Sequence, residues 1–402
     1  MRARRLSLYI AGAAIVLPCL ASAAPPANLK TVVEHAWSRS AEVRTLEARQ
    51  EEAAAARSTA QSWIAGNPTV GLAQRNDRSP SLRDQRESEL SVSAPFWLPG
   101  QKSARQAWAA RSTDEVAAQL LQARLAVAGE VRIRFWEAAA AREVLAEKDD
   151  HLHHLEQFAD EVQSRVKAGD LARSDGLLAQ QEVHAAVVAL AMARSQAAQA
   201  LARYQVLTGT AELPPLEPEP LREPADGVNA RLAAARATES RALAGLRLAE
   251  ATRSESPSLA VSLRHETENN LAEPNRSIGI ALQFPIGSKA RNRPAESLAQ
   301  TQLATAAAEA AQAAATVASD AALAREQVAH AEAALAAATS RAAAMHEHKA
   351  LLEKSFRLGE SSLAEVLRSN ALSHEADVAV RQQRVALGAA HAQLNQARGL
   401  LP

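Results

Sequence analysis

The stretch RVKAGDLARSDGLLAQQEVH, residues 165–184, returns in altered form 190 positions later as SFRLGESSLAEVLRSNALSH, residues 355–374. Gly169 aligns with Gly359, Asp170 with Glu360, Asp175 with Glu365 and His184 with His374, and the same offset carries Gly209 onto Gly399. One spacing held over that length marks an internal duplication, so the chain is built from two equivalent halves. Each copy reads as a helix, a reversal at the glycine, and a second helix starting near Ser174 or Ser362, where a short polar side chain can cap free backbone N–H groups. Two helical hairpins therefore dominate the chain.

The first residues have a different character. MRARRLSLYIAGAAIVLPCLASAA has a basic start (Arg2, Arg4, Arg5), an apolar run from Leu6 to Leu20 and a small-residue end, the pattern of a secretory signal peptide over residues 1–23. The apolar run is short for a membrane span. Cleavage after Ala23 removes Cys19, the only cysteine, and Pro18 stands where lipid attachment would want a small residue. The exported chain is thus expected to lack thiol chemistry and disulfides. With 45 basic and 45 acidic side chains in 402 residues, nothing marks the positive surface that nucleic acids require. Only 3% of residues are aromatic while alanine is abundant throughout, which suits long, closely packed helices better than a thick globular core.

Between the helical stretches the apolar period changes. A helical pattern from about Asn28 to Ala65 stops at Gly66-Asn67-Pro68. Near 68–76, Val70 and Leu72 alternate with Gly71 and Ala73; near 87–96, Leu90, Val92, Ala94 and Phe96 alternate with Ser91, Ser93 and Pro95. The second half repeats the device near 257–265 (Leu259, Val261, Leu263) and 276–285 (Ile278, Ile280, Leu282, Phe284). These are period-two strands in two hairpins, each closed by a polar loop. The greasy face suits either a sandwich core or lipid outside a membrane barrel, and the alternation does not separate the two. Each strand does have the length that a tilted membrane strand needs.

After each second strand comes a Pro/Gly break, WLPGQ and then FPIGS, followed by helical sequence almost without interruption to the glycine turn. Residues 101–166 as one helix would extend roughly 100 Å. In the second copy Val317, Ala321, Ala324, Val328, Ala331, Leu335, Ala338, Ala342 and Met345 follow a 4,3,4,3 spacing, the seam of a coiled coil. A seam rich in alanine lets helices approach to about 8 Å. The halves, 24–211 and 228–402, are joined by the proline-rich connector ELPPLEPEPLREPADG, residues 212–227.

Helix, strand hairpin, very long helix, glycine turn and returning helix, all of it twice, resembles the TolC family of outer-membrane efflux proteins. The likeness spans essentially the whole exported chain. It is most specific at RVKAGDLARSD and FRLGESSLAEVL, which are similar to that family's tip sequences. The resemblance implies a mainly α fold with a small membrane β part, in which three chains assemble an α-barrel and one twelve-stranded β-barrel into a duct. The strand count points the same way: four strands cannot close a barrel, and open edges are forbidden in lipid. The resemblance further implies an exit duct of a tripartite efflux pump in the outer membrane. Its partners would be a periplasmic adaptor and an inner-membrane transporter, and it would have no cofactor and no catalytic residue. Val166, Ala168, Gly169, Asp170 and Asp175 would form one adaptor-docking or gating tip (166–175). Phe356, Leu358, Gly359, Glu360 and Glu365 would form the other (356–365). Ala168 departs from its counterpart Leu358, which leaves the identity of the adaptor open.

Histidines gather before both turns: His151, His153 and His154 before Gly169, His346 and His348 before Gly359. Solvated helix faces accommodate such residues without further meaning. His151 and His154 can nevertheless share a face as metal ligands would, and one branch of the family serves heavy-metal pumps, so a transient metal contact is the functional reading. Two other classes fit less well. A periplasmic adaptor would carry one hairpin flanked by glycine-rich β domains, and a metal-dependent hydrolase would need ligands converging from a compact core. No nucleophile elbow, phosphate-binding loop or dinucleotide fingerprint is present.

Overall fold

A computed structural model describes residues 28–78, 84–223, 229–268 and 273–402. The signal-peptide reading, Cys19 and the end of the connector lie outside the described residues. The elements run α1 (Leu29–Arg39), α2 (Ala41–Gln61), β1 (Thr69–Arg78), β2 (Asp84–Pro95), α3 (Gln101–Ala168), α4 (Arg173–Thr208), α5 (Ala230–Ala251), β3 (Ser258–Glu268), β4 (Asn275–Gln283), α6 (Lys289–Arg357) and α7 (Leu363–Ala397). With 68 and 69 residues, α3 and α6 are each roughly 100 Å long. They return as α4 and α7, giving two hairpins that meet along α3 and α7.

The helical stretch after Asn28 is not one helix. It breaks at Ser40, which takes an extended conformation (φ −66°, ψ 129°) and donates its N–H to Trp37 O at 3.1 Å. The break serves two faces: α1 buries Val32, Val33 and Ala36 in the main core, whereas α2 runs along α3 and buries Val43, Leu46, Ala53 and Ala60. Its counterpart α5 has no such break.

The four strands form one antiparallel sheet in the order β1-β2-β3-β4. Their register lines up the apolar positions across the sheet: Val70, Val92, Val261 and Ile280 in one row, Leu72, Leu90, Leu263 and Ile278 in the next. All of these side chains are exposed. Rows of the opposite face are small or charged. Gly71, Ser91, Ser262 and Gly279 make one, and a Cβ at either glycine would come within 2.7–2.8 Å of a serine Oγ. Above it, Arg264 binds Glu87 at 2.7 Å. Among the described residues the outer edges of β1 and β4 have no partner strand.

The main core lies part-way down the rods, where Phe135 and Trp136 of α3 pack with Val32 and Val33 of α1, Tyr204 of α4, and Val385 and Ala392 of α7. Every position of the alanine-rich α6 seam from Val317 to Met345 is buried or half-buried. Ala324 and Val328 pack there against Ala390 and Leu394 of α7. The connector is pinned across both halves. Arg132 of α3, 3% exposed, donates Nε and Nη2 to the two carboxylate oxygens of Glu219 at 2.7 and 2.6 Å, and Nη1 to Gln396 Oε1 and Leu400 O. A bidentate pair with further hydrogen bonds is the arrangement that compensates a buried charge.

Candidate functional site

Both turns at the hairpin ends share one backbone solution. Gly169 (φ 87°) and Gly359 (φ 78°) are left-handed. Gly169 N–H donates to Val166 O (3.1 Å) and Asp170 N–H to Arg165 O (2.9 Å); Gly359 N–H donates to Phe356 O and Glu360 N–H to Ser355 O, each at 3.0 Å. This is the paired hydrogen bonding of a Schellman cap, which satisfies the last carbonyls of each long helix. A Cβ at either glycine would meet nothing within 4 Å, so it is the backbone angle and not crowding that demands glycine here.

The returning helices start differently in the two copies. In the second, Ser362 Oγ accepts from Glu365 N–H and Glu365 Oε2 accepts from Ser362 N–H, a complete capping box. In the first, the position before the helix is Ala172, not Ser174 as the sequence suggested. Alanine has no acceptor, so only the reverse bond forms, from Ala172 N–H to Asp175 Oδ2 at 3.1 Å. Asp175 and Glu365 are therefore helix-start residues. Ala168, Gly169, Asp170, Leu358, Gly359 and Glu360 lie exposed at the very ends. Val166 and Phe356 turn inward to a cluster built on Val162, Ala179 and Leu363, which ties the two ends together. The Arg165 guanidinium lies 5.1 Å from the centre of the Phe356 ring and adds a cation–π contact.

The histidines are distributed rather than gathered. His153 pairs with Gln157 on its own helix (2.9 Å), His346 with Asp377 (2.8 Å) and His348 with Ser369 (3.0 Å), both on α7. His151 lies flat on His374 of α7, ring centres 3.7 Å apart and planes 13° from parallel. His374 Nε2 also touches the carboxylate of Glu147, which is 3% exposed. Burial pushes the Glu147 carboxyl up, and burial with neighbouring cations pulls His374 down to about 4 and His151 below its usual value. Among the described residues no group of three or more His, Cys, Asp or Glu is arranged to hold a metal ion. The sequence reading passed over Glu147 and met His374 only as the repeat counterpart of His184. Their signal was present: Glu147 precedes His151 by one helical turn, and His151 and His374 stand 18 and 15 residues from their turn glycines, which puts them at nearly one height.

No protein-family model matches the sequence. The chain is 29% identical over 196 residues to the nickel-cobalt-cadmium resistance protein NccC of Alcaligenes xylosoxydans xylosoxydans, over 48% of its own length and 44% of that relative's. It therefore spans less than half of the curated relative that it matches. Its structure superposes on a membrane protein from Pseudomonas aeruginosa with a TM-score of 0.76 at 18% identity, covering 92% of this chain and 90% of that one. It superposes on the Campylobacter jejuni CmeC outer membrane channel with a TM-score of 0.74 at 13% identity, covering 92% and 85%. The chain has the TolC-type channel fold. That fold accounts for a sheet with an exposed apolar face at one end of the rods and two glycine-turned tips at the other.

Proposed function

We propose that three copies of this chain form an outer-membrane duct of a tripartite efflux pump. It receives substrate from an inner-membrane transporter through a periplasmic adaptor, and heavy-metal cations are the substrate class. The observation that carries the reading is the four-stranded sheet, whose exposed apolar rows and unpaired edges leave a single chain unable to satisfy its backbone in lipid. Sheets joined edge to edge close into a barrel with the apolar rows outside and the Gly71–Ser91–Ser262–Gly279 row inside. The rods then reach roughly 100 Å into the periplasm. Exposed Leu177, Val187, Val188, Met192 and Val206 on α4 supply apolar surface for contact between copies.

The exposed turns at Gly169 and Gly359 are the surface offered to the adaptor, where Asp170, Asp175, Glu360 and Glu365 stand among Arg165, Lys167, Arg173, Lys354 and Arg357 and present charges of both signs. Val166 and Phe356 hold the two turns in register. The duct needs no catalytic group. The metal reading is supported by the similarity to NccC. It is tested by deleting the gene and measuring cellular accumulation of nickel, cobalt, cadmium, zinc and copper. A rise for one or more, reversed by the intact gene, supports it; unchanged accumulation of all five rejects metals as the cargo. The assembly is tested separately by light scattering of the detergent-solubilised protein, where a trimer is expected and a monodisperse monomer would remove the barrel.

A further inference from the structure

The contact of His151 with His374 lies on the seam between the two hairpins, about 27 Å above the Gly169 turn by helix rise. It is the feature of the rods that the duct reading does not use. Two imidazoles stacked at 3.7 Å tolerate each other only while no more than one is charged, because like charges at that distance repel strongly away from bulk water. A buried carboxylate, Glu147, touches one of them. Beside the three lies a cavity of about 370 Å³ lined by Glu147, Asp150, His154, His374, Asp377, Arg381 and Arg384.

The charged groups around the pair come from three helices. On α3, Lys148 lies 3.3 Å from Glu147, and Asp150 and His154 border the cavity. On α7, Asp377 is held by His346 of α6, and Arg381 reaches Asp150 at 3.4 Å. From α6, Lys349 adds positive potential at His151. Burial comes first, Lys148 and His154 add positive potential at both histidines, and Asp377 offsets part of it at His374, so the balance disfavours a second proton.

We infer that His151, His374 and Glu147 form a proton-sensitive clasp between α3 and α7, closed when the two imidazoles are neutral and released when acid charges them. The sign follows from the separated state, in which both histidines recover ordinary basicity. Because His151 and His374 are less basic when stacked, parting the helices takes up protons, and the clasp weakens as pH falls below about 6.5. His374 itself, at about 4, sets the lower end of that window. Glu147 works in the opposite direction, since its raised carboxyl favours the closed, protonated form, but one carboxyl opposes two histidines.

The test is hydrogen exchange measured by mass spectrometry on the full-length membrane-embedded protein between pH 7.5 and 4.5, corrected for the intrinsic pH dependence of exchange. Peptides covering 145–155 and 370–380 report the clasp, and peptides covering 128–139 and 385–394 report the main core. The clasp peptides should open up to about tenfold more per pH unit below 6.5, with the core peptides unchanged. His374→Phe, which keeps a flat ring without a proton site, should hold the clasp closed at pH 5, and His151→Phe supplies the same test in a second variant. Glu147→Gln removes the opposing group, so its clasp should loosen more steeply than wild type. Clasp peptides as protected at pH 5 as at pH 7.5, or a pH response unchanged in both Phe variants, would overturn the inference. Either result leaves the duct reading untouched, because the seam lies within one chain.

Discussion

The ring of Trp136 on α3 occupies the place that a side chain at Gly388 of α7 would take: a Cβ built there falls 2.0 Å from Trp136 Cη2. The indole thus packs directly on the α7 backbone, in the core that joins the two hairpins. Glycine within a helix is otherwise unfavourable by about 1 kcal/mol, so its presence here is explained by this fit. Gly388→Ala should cost about 1–3 kcal/mol through overpacking, read as a lower midpoint of chemical unfolding. Pairing it with Trp136→Leu should recover part of the loss, and two additive losses would show that the residues do not share that space.

A buried ion pair is more sensitive to removing one partner than both. Arg132→Ala leaves Glu219, whose side chain is 13% exposed, charged with the Asn395 amide but without its cation, and breaking a buried ion pair in this way typically costs about 3–5 kcal/mol. Arg132→Met combined with Glu219→Leu should be markedly less damaging than the single change. Protease sensitivity of the connector would separate the cases, with the strap cut fast in the single variant and slowly in the double.

On the sheet, Val92 stands in the exposed apolar row and Ser93 on the opposite face, where its Oγ lies 2.7 Å from Thr69 Oγ. Val92→Arg should impair membrane assembly by roughly 2–4 kcal/mol if its row faces the middle of the bilayer, and Ser93→Arg by much less. Heat-resistant oligomer in membrane fractions measures both. The reverse order would exchange inside and outside.

At the tips, Gly169→Val and Gly359→Val force a β-branched residue into a left-handed angle, at a cost of about 1 kcal/mol or more. Since nothing crowds either position, the strain stays local and the sheet is about 100 Å away. Normal amounts of membrane oligomer with lost export are expected. Export at the wild-type rate in both variants would take the tips out of the coupling mechanism.

Much of this architecture was legible because it is periodic. The strand alternation, the 4,3 seam in α6 and the 190-residue offset each repeat a local rule, and repeated rules can be read without coordinates. What stayed hidden depends on partners distant in sequence. Arg132 and Glu219 are separated by 87 residues, and no spacing rule connects an arginine in a rod to a glutamate in a proline strap. The break at Ser40 follows from α1 and α2 having different packing partners, while the helical period runs on through it. Ala172 opens α4 where Ser174 seemed the better cap, because the helix begins one residue before that serine. Among the histidines, clustering along the chain paired His151 with His154 on its own helix, whereas its close ring contact is with His374, on a different helix.

The open edges of β1 and β4 also bear on inheritance. If each ring takes three sheets, as proposed here, every junction joins β1 of one copy to β4 of the next, and a defect in either edge spoils any ring that admits it. A cell making intact and edge-defective chains in equal amounts would keep only about one ring in eight free of the defect, by random choice of three subunits. Edge mutations should therefore behave as dominant over an intact copy. A change confined to the capping box at Ser362 leaves the ring closed and has no such genetic signature.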